Sequence, residues 1–302
     1  MKIAAWFGLC LLPMIGFSQS FYREHYSRNF AISGGTGTSL YFGEMATSAP
    51  TNAFKLLTKN KVRYSFVGAA EYFFLPHFST RAELSLFRLA GSDKNEESDA
   101  RERNLSFRSS NAELSLVAVA HLMPLPIRFD RRYTFNVHFF GGVGMFTLNP
   151  KTTYNGKTYA LRDYQTEGQP EKYSWLNTSF PVGMGIRIET SLNTSLVIEA
   201  GYRYTLTDYI DDVSGVFDPD EPRKGRYPTP DMLNNDPLRI ALSDRRGELT
   251  GSPPRGGGVR GNPLTNDGYF LFNIKYELYL EEHIGAVNYG QKKLKNMKLK
   301  RR

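Results

Sequence analysis

The 302-residue sequence predicts an all-β chain closed into an eight-stranded antiparallel barrel. Three observations predict it. Apolar and polar residues alternate with period two over eight stretches, which is the signature of strands with one apolar face. Each stretch runs to roughly ten residues or more, longer than ordinary globular strands and long enough for a tilted strand to cross a bilayer. The connections between stretches alternate between short and long. That parity gives short periplasmic turns and long external loops, the plan of a transmembrane β-barrel of the outer-membrane type.

The elements follow in order. Residues 1–18, beginning Met1-Lys-Ile-Ala-Ala-Trp, read as a Sec-type signal peptide. Lys2 supplies the positive start, Ile3 to Phe17 the apolar run, and Gly16 and Ser18 the small residues before Gln19. Cys10 lies in the middle of that run rather than after it, the wrong place for a lipid-modified cysteine. Residues 19–280 then form the barrel. Its looser strands are Phe30–Phe42, Val62–Phe74, Tyr133–Leu148 and Ser179–Glu189. The sharper ones start near Arg81, Ser110, Thr194 and Gly268. In the first of these, Ala82, Leu84 and Leu86 oppose Arg81, Glu83 and Ser85. In the second, Leu114 and Leu116 oppose Glu113, Ser115 and His121. The third sets Ile198 and Tyr202 against Glu199 and Arg203, and the last sets Phe272 and Ile274 against Asn273 and Lys275. Short turns are expected at Pro76-His77, around Pro124–Arg132 and at Thr190–Asn193. Glu44–Lys61, Gly91–Asn104, Asn149–Asn177 and Thr205–Asp267 are the long loops. Residues 281–302 form a basic periplasmic tail. Both termini are expected in the periplasm because the strand count is even.

An eight-stranded barrel is just wide enough inside for side chains. The inward set contains Arg81, Glu83, Glu113, Arg187, Glu189, Glu199 and Arg203. Both signs are present, so a plugged lumen of ion pairs is expected rather than a wide water-filled pore. Aromatics such as Tyr72-Phe-Phe74 and Tyr276–Tyr279 crowd strand ends, where interfacial girdles form.

Charge and cysteine usage exclude other classes. The net charge of +8 comes mainly from the tail residues Lys292, Lys293, Lys295, Lys298, Lys300, Arg301 and Arg302. They are a candidate partner-binding cluster; nucleic acid is not an expected target of an exported chain. The single cysteine lies in the signal segment, which excludes a disulfide-stapled scaffold.

Thr207-Asp-Tyr-Ile-Asp-Asp-Val-Ser-Gly215 opens the longest loop. Asp208, Asp211 and Asp212 form a weak calcium candidate, because oxygen ligands at alternate positions suit that ion. No Asp-x-Asp-x-Asp-Gly frame is present, and the preferred reading is aspartates that cap turns by accepting backbone N–H bonds. No catalytic residue and no cofactor is assigned. Gly34-Gly-Thr-Gly-Thr38 fits neither nucleotide-binding spacing and has no helix after it.

Several segments together resemble a family. They are Arg103-Asn-Leu-Ser-Phe-Arg-Ser109, Phe140-Gly-Gly-Val-Gly144, Leu148-Asn-Pro-Lys151 and Thr166-Glu-Gly-Gln169. Gly201–Gly215, Ala241-Leu-Ser-Asp-Arg245 and Arg260-Gly-Asn-Pro263 complete the set. In this order the chain resembles the PorG-type outer-membrane barrels of the Bacteroidetes type IX secretion system. The resemblance implies a non-enzymatic role in protein secretion and, in gliding relatives, motility. It implies contact with a periplasmic ring of PorK-like lipoprotein and PorN-like subunits. It also implies that the aspartate-rich stretch is a rim-loop signature without known chemistry. Two other roles stay open at this point: an OmpW-like barrel that binds or passes a small apolar ligand, and a surface adhesin.

Overall fold

The computed structural model describes residues 30–46, 63–93, 100–125, 133–191, 193–251 and 258–280. The signal segment 1–18, Asp130 to Arg132 and the tail 281–302, with its Lys292 to Arg302 cluster, lie outside the described residues.

Among the described residues, twelve strands occur in chain order. β1 (Phe30–Phe42), β2 (Arg63–Leu75), β3 (Phe78–Ser92), β4 (Ser106–His121) and β5 (Phe135–Thr147) are successive staves. β6 (Lys151–Tyr154) and β7 (Lys157–Ala160) form a hairpin beyond the end of β5. β8 (Leu176–Ser191), β9 (Thr194–Thr205) and β12 (Gly268–Leu280) are the remaining staves, and β10 (Gly225–Arg226) pairs with β11 (Val259–Gly261) outside them. The main sheet runs β3-β2-β1-β12-β9-β8-β5-β4, and β3 pairs with β4 to close it. All these pairs are antiparallel, so the eight-stranded closed barrel expected from the sequence is the fold. β1 and β12 form the seam, in register from Phe30 opposite Leu280 to Phe42 opposite Gly268. The β2–β3 turn, the β4–β5 connection and the β8–β9 turn share the end of the barrel at which this seam begins, and the long loops share the other.

The pleat sends alternate residues in and out, and the two faces differ sharply. Outward positions carry Leu84, Leu86, Leu114, Leu116, Val143, Val182 and Ile186, with Leu114 63 % and Leu116 57 % exposed. Burying none of this apolar surface within the chain is unfavourable in water, and a lipid solvent removes the cost. Tyr64 and Phe66 ring the loop end of this band, and Tyr72, Phe74, Phe78, Phe135 and Tyr276 ring the turn end. Phe73 and Tyr279 are different: both point into the lumen, with rings 5.8 Å apart, because their parity follows the inward set.

The lumen has three tiers. At the turn end Ala31, Phe73, Leu125 and Tyr279 make a small apolar floor. The middle is ionic. Arg81 donates to Glu199 at 2.6 and 3.1 Å, and Lys275 donates to Glu199 at 2.6 Å and to Glu83 at 3.2 Å. Arg187 bridges Glu71 and Glu277, each at 2.9 Å. Arg203 lies 3.4 Å from Glu83 and 3.7 Å from Glu113, while Tyr269 donates to Glu113 at 2.6 Å. His138 meets Glu199 at 2.7 Å. Arg81 is 2 % exposed, and Arg187 and Lys275 are 1 % exposed, so this tier is filled by its own side chains. The alternation in the sequence marks most of this network but not Glu71 and Glu277, the two acids that hold Arg187. Glu189, expected inside, is only half-buried at the end of β8. The third tier, at the loop end, is the largest apolar cluster and belongs partly to the loops.

Candidate functional site

The loops at the open end fold into a cap, and the aspartate-rich stretch is its stopper. β9 ends at Thr205, and the chain turns over the barrel mouth. Ile210 and Val213 become fully buried against Tyr41, Phe87, Phe146, Tyr269 and Leu271, which line the top of the lumen. Two apolar side chains spaced three apart thus close the barrel, and the polar residues between them must find partners or lose free energy on burial.

The three aspartates meet different partners. Asp211 accepts from the backbone N–H of Val213 at 2.8 Å, a local Asx turn, and from that of Met45 at 3.3 Å. This is the turn-capping role expected of it. Asp212 sits in the left-handed region at φ 67°, which an aspartate tolerates better than most residues. That conformation turns its side chain into another network. Tyr173 donates to Asp212 at 2.9 Å, and the Thr166 hydroxyl donates to its other oxygen. Asp208 is 7 % exposed, and neither of its carboxyl oxygens meets hydrogen-bond geometry with any described group, although the Ser214 side chain stands beside it.

Around the stopper the cap is held by buried charge. Glu167 accepts from the backbone N–H groups of Ser214 at 2.8 Å and Gly215 at 2.5 Å. Arg260 donates to Glu167 at 2.9 Å, to the Asp212 carbonyl at 2.8 Å and to the Ser243 carbonyl. Arg103 donates to the Arg260 carbonyl at 2.7 Å, to the Glu44 carbonyl at 2.9 Å and to Asp93 at 3.0 Å. Asn104 donates to the Arg245 carbonyl and to Glu248, at 3.3 and 3.0 Å. Gly215, at φ 88°, packs so closely on Gly225 that an added Cβ would stand 2.5 Å from its carbonyl carbon. Only glycine fits there. The helix Pro237–Ser243 joins the cap with Asp236 as its N-cap, accepting from Leu238 and Arg239.

A second acidic group lies at the mouth itself. Glu44 lies two residues past the end of β1, Asp267 directly precedes β12, and Asp211 comes down from the stopper. One carboxylate oxygen of each lies within 4.8 Å of the other two. The β1–β12 seam brings Glu44 and Asp267 together. Asp267 accepts from Tyr41 at 2.7 Å and from the Ile210 N–H at 2.8 Å. The calcium candidate of the sequence therefore divides: Asp211 enters this group, Asp208 lies beside it, and Asp212 belongs to the Arg260 network. Glu44 and Asp267 had no local signal in the sequence.

These acids lie beyond the strand ends, and burial together with mutual repulsion makes them reluctant to ionise. Burial and the neighbouring Glu44 push Asp208 up to about 9. Burial and Asp211 push Glu44 up to about 8. Burial raises Asp211 to about 7 against the N–H groups it accepts from, and Asp267 rises well above the usual carboxylate range through burial, Asp211 and Glu44. Burial also raises Asp212 to about 7, with Arg260 opposing.

Among solved structures the chain is similar to the N-terminal β-barrel domain of Pseudomonas aeruginosa OprF. Identity is 8 %, covering 84 % of this chain and 98 % of that one, with a TM-score of 0.38. It is similar to Neisserial surface protein A at 8 % identity, covering 83 % and 97 %, with a TM-score of 0.37. The outer membrane protein OprG from Pseudomonas aeruginosa matches at 10 % identity, covering 85 % and 98 %, with a TM-score of 0.37. Likeness this distant says nothing of function. No protein-family model matches the chain. No curated protein matches it.

Proposed function

We propose that this chain is an outer-membrane barrel serving as a non-catalytic component of type IX protein secretion, and of gliding motility where that occurs. Its short-turn end faces the periplasm and contacts the periplasmic ring. One observation carries the reading. Most of the segments that carry the PorG-type resemblance converge in one interlocked cap: Arg103 and Asn104, Thr166 and Glu167, Asp211 to Gly215, Ser243 to Arg245, and Arg260. Segments scattered over the chain that meet in one buried network make a single structural unit. The acids there hold backbone N–H groups and arginines, which is structural work. Among the described residues, ion pairs fill the middle of the lumen, which speaks against the OmpW-like alternative. A surface adhesin is the second reading, favoured by Trp175, Phe217, Leu249 and Leu264, which the cap exposes.

The test is affinity purification from gently solubilised membranes. A ring lipoprotein of the secretion system should come down with the barrel; recovery of the barrel alone overturns the role. Deleting Gln291–Arg302 should lower both ring recovery and secretion, through loss of Lys292, Lys293, Lys295, Lys298, Lys300, Arg301 and Arg302. Charge steers such encounters. Unchanged recovery and secretion would remove the tail from the proposal.

A further inference from the structure

We infer that the mouth of the barrel holds a divalent cation, calcium by its chemistry, between the carboxylates of Glu44, Asp211 and Asp267, with Asp208 beside them. The site does not depend on the secretion role.

Three features of the geometry point to it. The first is spacing. Ligand oxygens that bind calcium lie about 2.3–2.6 Å from the ion, so they lie within about 5 Å of one another. The three oxygens of Glu44, Asp211 and Asp267 meet that condition. The second is orientation. Tyr41 and the Ile210 N–H fix Asp267, the Val213 and Met45 N–H groups fix Asp211, and the Asn262 N–H reaches Glu44 at 3.4 Å. A carboxylate oxygen that accepts one hydrogen bond keeps a second lone pair for a metal. Such outer contacts hold ligands in place before an ion arrives.

The third feature is a neighbouring acid outside those three. Asp208 is more than nine-tenths buried, yet neither of its oxygens meets hydrogen-bond geometry with a described group. Its charge is felt by Asp267, and it feels those of Glu44 and Asp211 in turn. A buried carboxyl without such a bond is costly, and the nearby charges of Glu44, Asp211 and Asp267 add to the cost. Arg103 is the cation whose charge reaches Asp211, and it already donates to Asp93. A dication between Glu44, Asp211 and Asp267 offsets the repulsion among them and the repulsion that Asp208 shares with them.

The donor set selects the ion. All candidate donors are carboxylate oxygens, which disfavours zinc and copper. Magnesium keeps several waters and demands near-octahedral geometry, whereas calcium accepts a flexible cage of carboxylates. Extracellular calcium modules bind in the range of about 10⁻⁴–10⁻³ M, and an external site needs no tighter affinity.

The experiment uses the full chain, refolded in detergent and stripped with chelator. Calorimetric titration with calcium should show one saturable ion per chain. Terbium should bind the same site and luminesce on excitation of the tyrosines, Tyr41 among them, and calcium should displace it. Asp211→Asn and Asp267→Asn should each weaken calcium binding about tenfold or more. Asp163→Asn, an exposed acid paired with Lys172, should leave it unchanged. Glu44→Gln, at the half-buried edge, gives a third reading if a buried variant fails to fold. No saturable binding below about 10 mM, well above the extracellular range, overturns the site. Binding undiminished in all three variants places the ion elsewhere and overturns it equally.

Discussion

Asp211 and Asp212 are neighbours in the chain, yet they serve separate networks. The left-handed turn at Asp212 divides them, sending one carboxyl toward Met45 and the other toward Tyr173. Local sequence shows acids in a row; it does not show which way each turns. The titration of Asp208 and Glu44 gives this scale its prediction. Their ordinary values are 3.8 and 4.5, and the folded cap raises them to about 9 and about 8. Between those limits the folded cap binds protons that the unfolded cap has released. Stability therefore falls as pH rises through that window, and it is fully present only below the unfolded values. In chelator, the cap should resist added protease better at pH 6 than at pH 9.5. Equal resistance at both, or the reverse order, would sink this account of the buried acids.

At the level of elements, the barrel staves were legible and the cap was not. Alternation is a local signal, so it assigns the faces of β3, β4, β9 and β12. In β2, Ala69 and Ala70 blur the period before Glu71, so the alternation does not mark Glu71 as a lumen acid. Phe73 and Tyr279 look interfacial in the sequence for a related reason: aromatic residues near strand ends suit either face, and only register decides. The cap has no periodicity to read. Its strands β6, β7, β10 and β11 are two to four residues long, and its order comes from contacts such as Glu167 with Arg260, far apart in the chain. The ionic tier gives a prediction at this scale. Arg81 faces Glu199 at 2.6 Å, with Glu83 at 3.5 Å and Glu71 at 3.7 Å. Removing one partner of a buried pair leaves uncompensated charge and costs about 3–5 kcal/mol. Arg81→Leu should lower the urea midpoint of the barrel in lipid vesicles accordingly. Adding Glu199→Gln should recover part of the loss; failure to recover any would argue against the pairing.

For the whole molecule, the three tiers set what can pass. An apolar floor, a salt-bridged middle and a stopper of Ile210 and Val213 stand in series along one axis. In planar bilayers the purified chain should give no stable conductance steps. Porin-like steps would mean that the middle tier opens and that the lumen is not filled as described.

The seam between β1 and β12 has a consequence for biogenesis. The first stave to leave the ribosome pairs with the last, so no nascent fragment is a closed cylinder. Until Leu280 has been made, the chain carries two unpaired edges, each a template for aggregation. Such long-range pairing is slow to form, which lengthens the time those edges stay open. The same closing event brings Asp267 to Glu44, so the acidic mouth can exist only in finished copies.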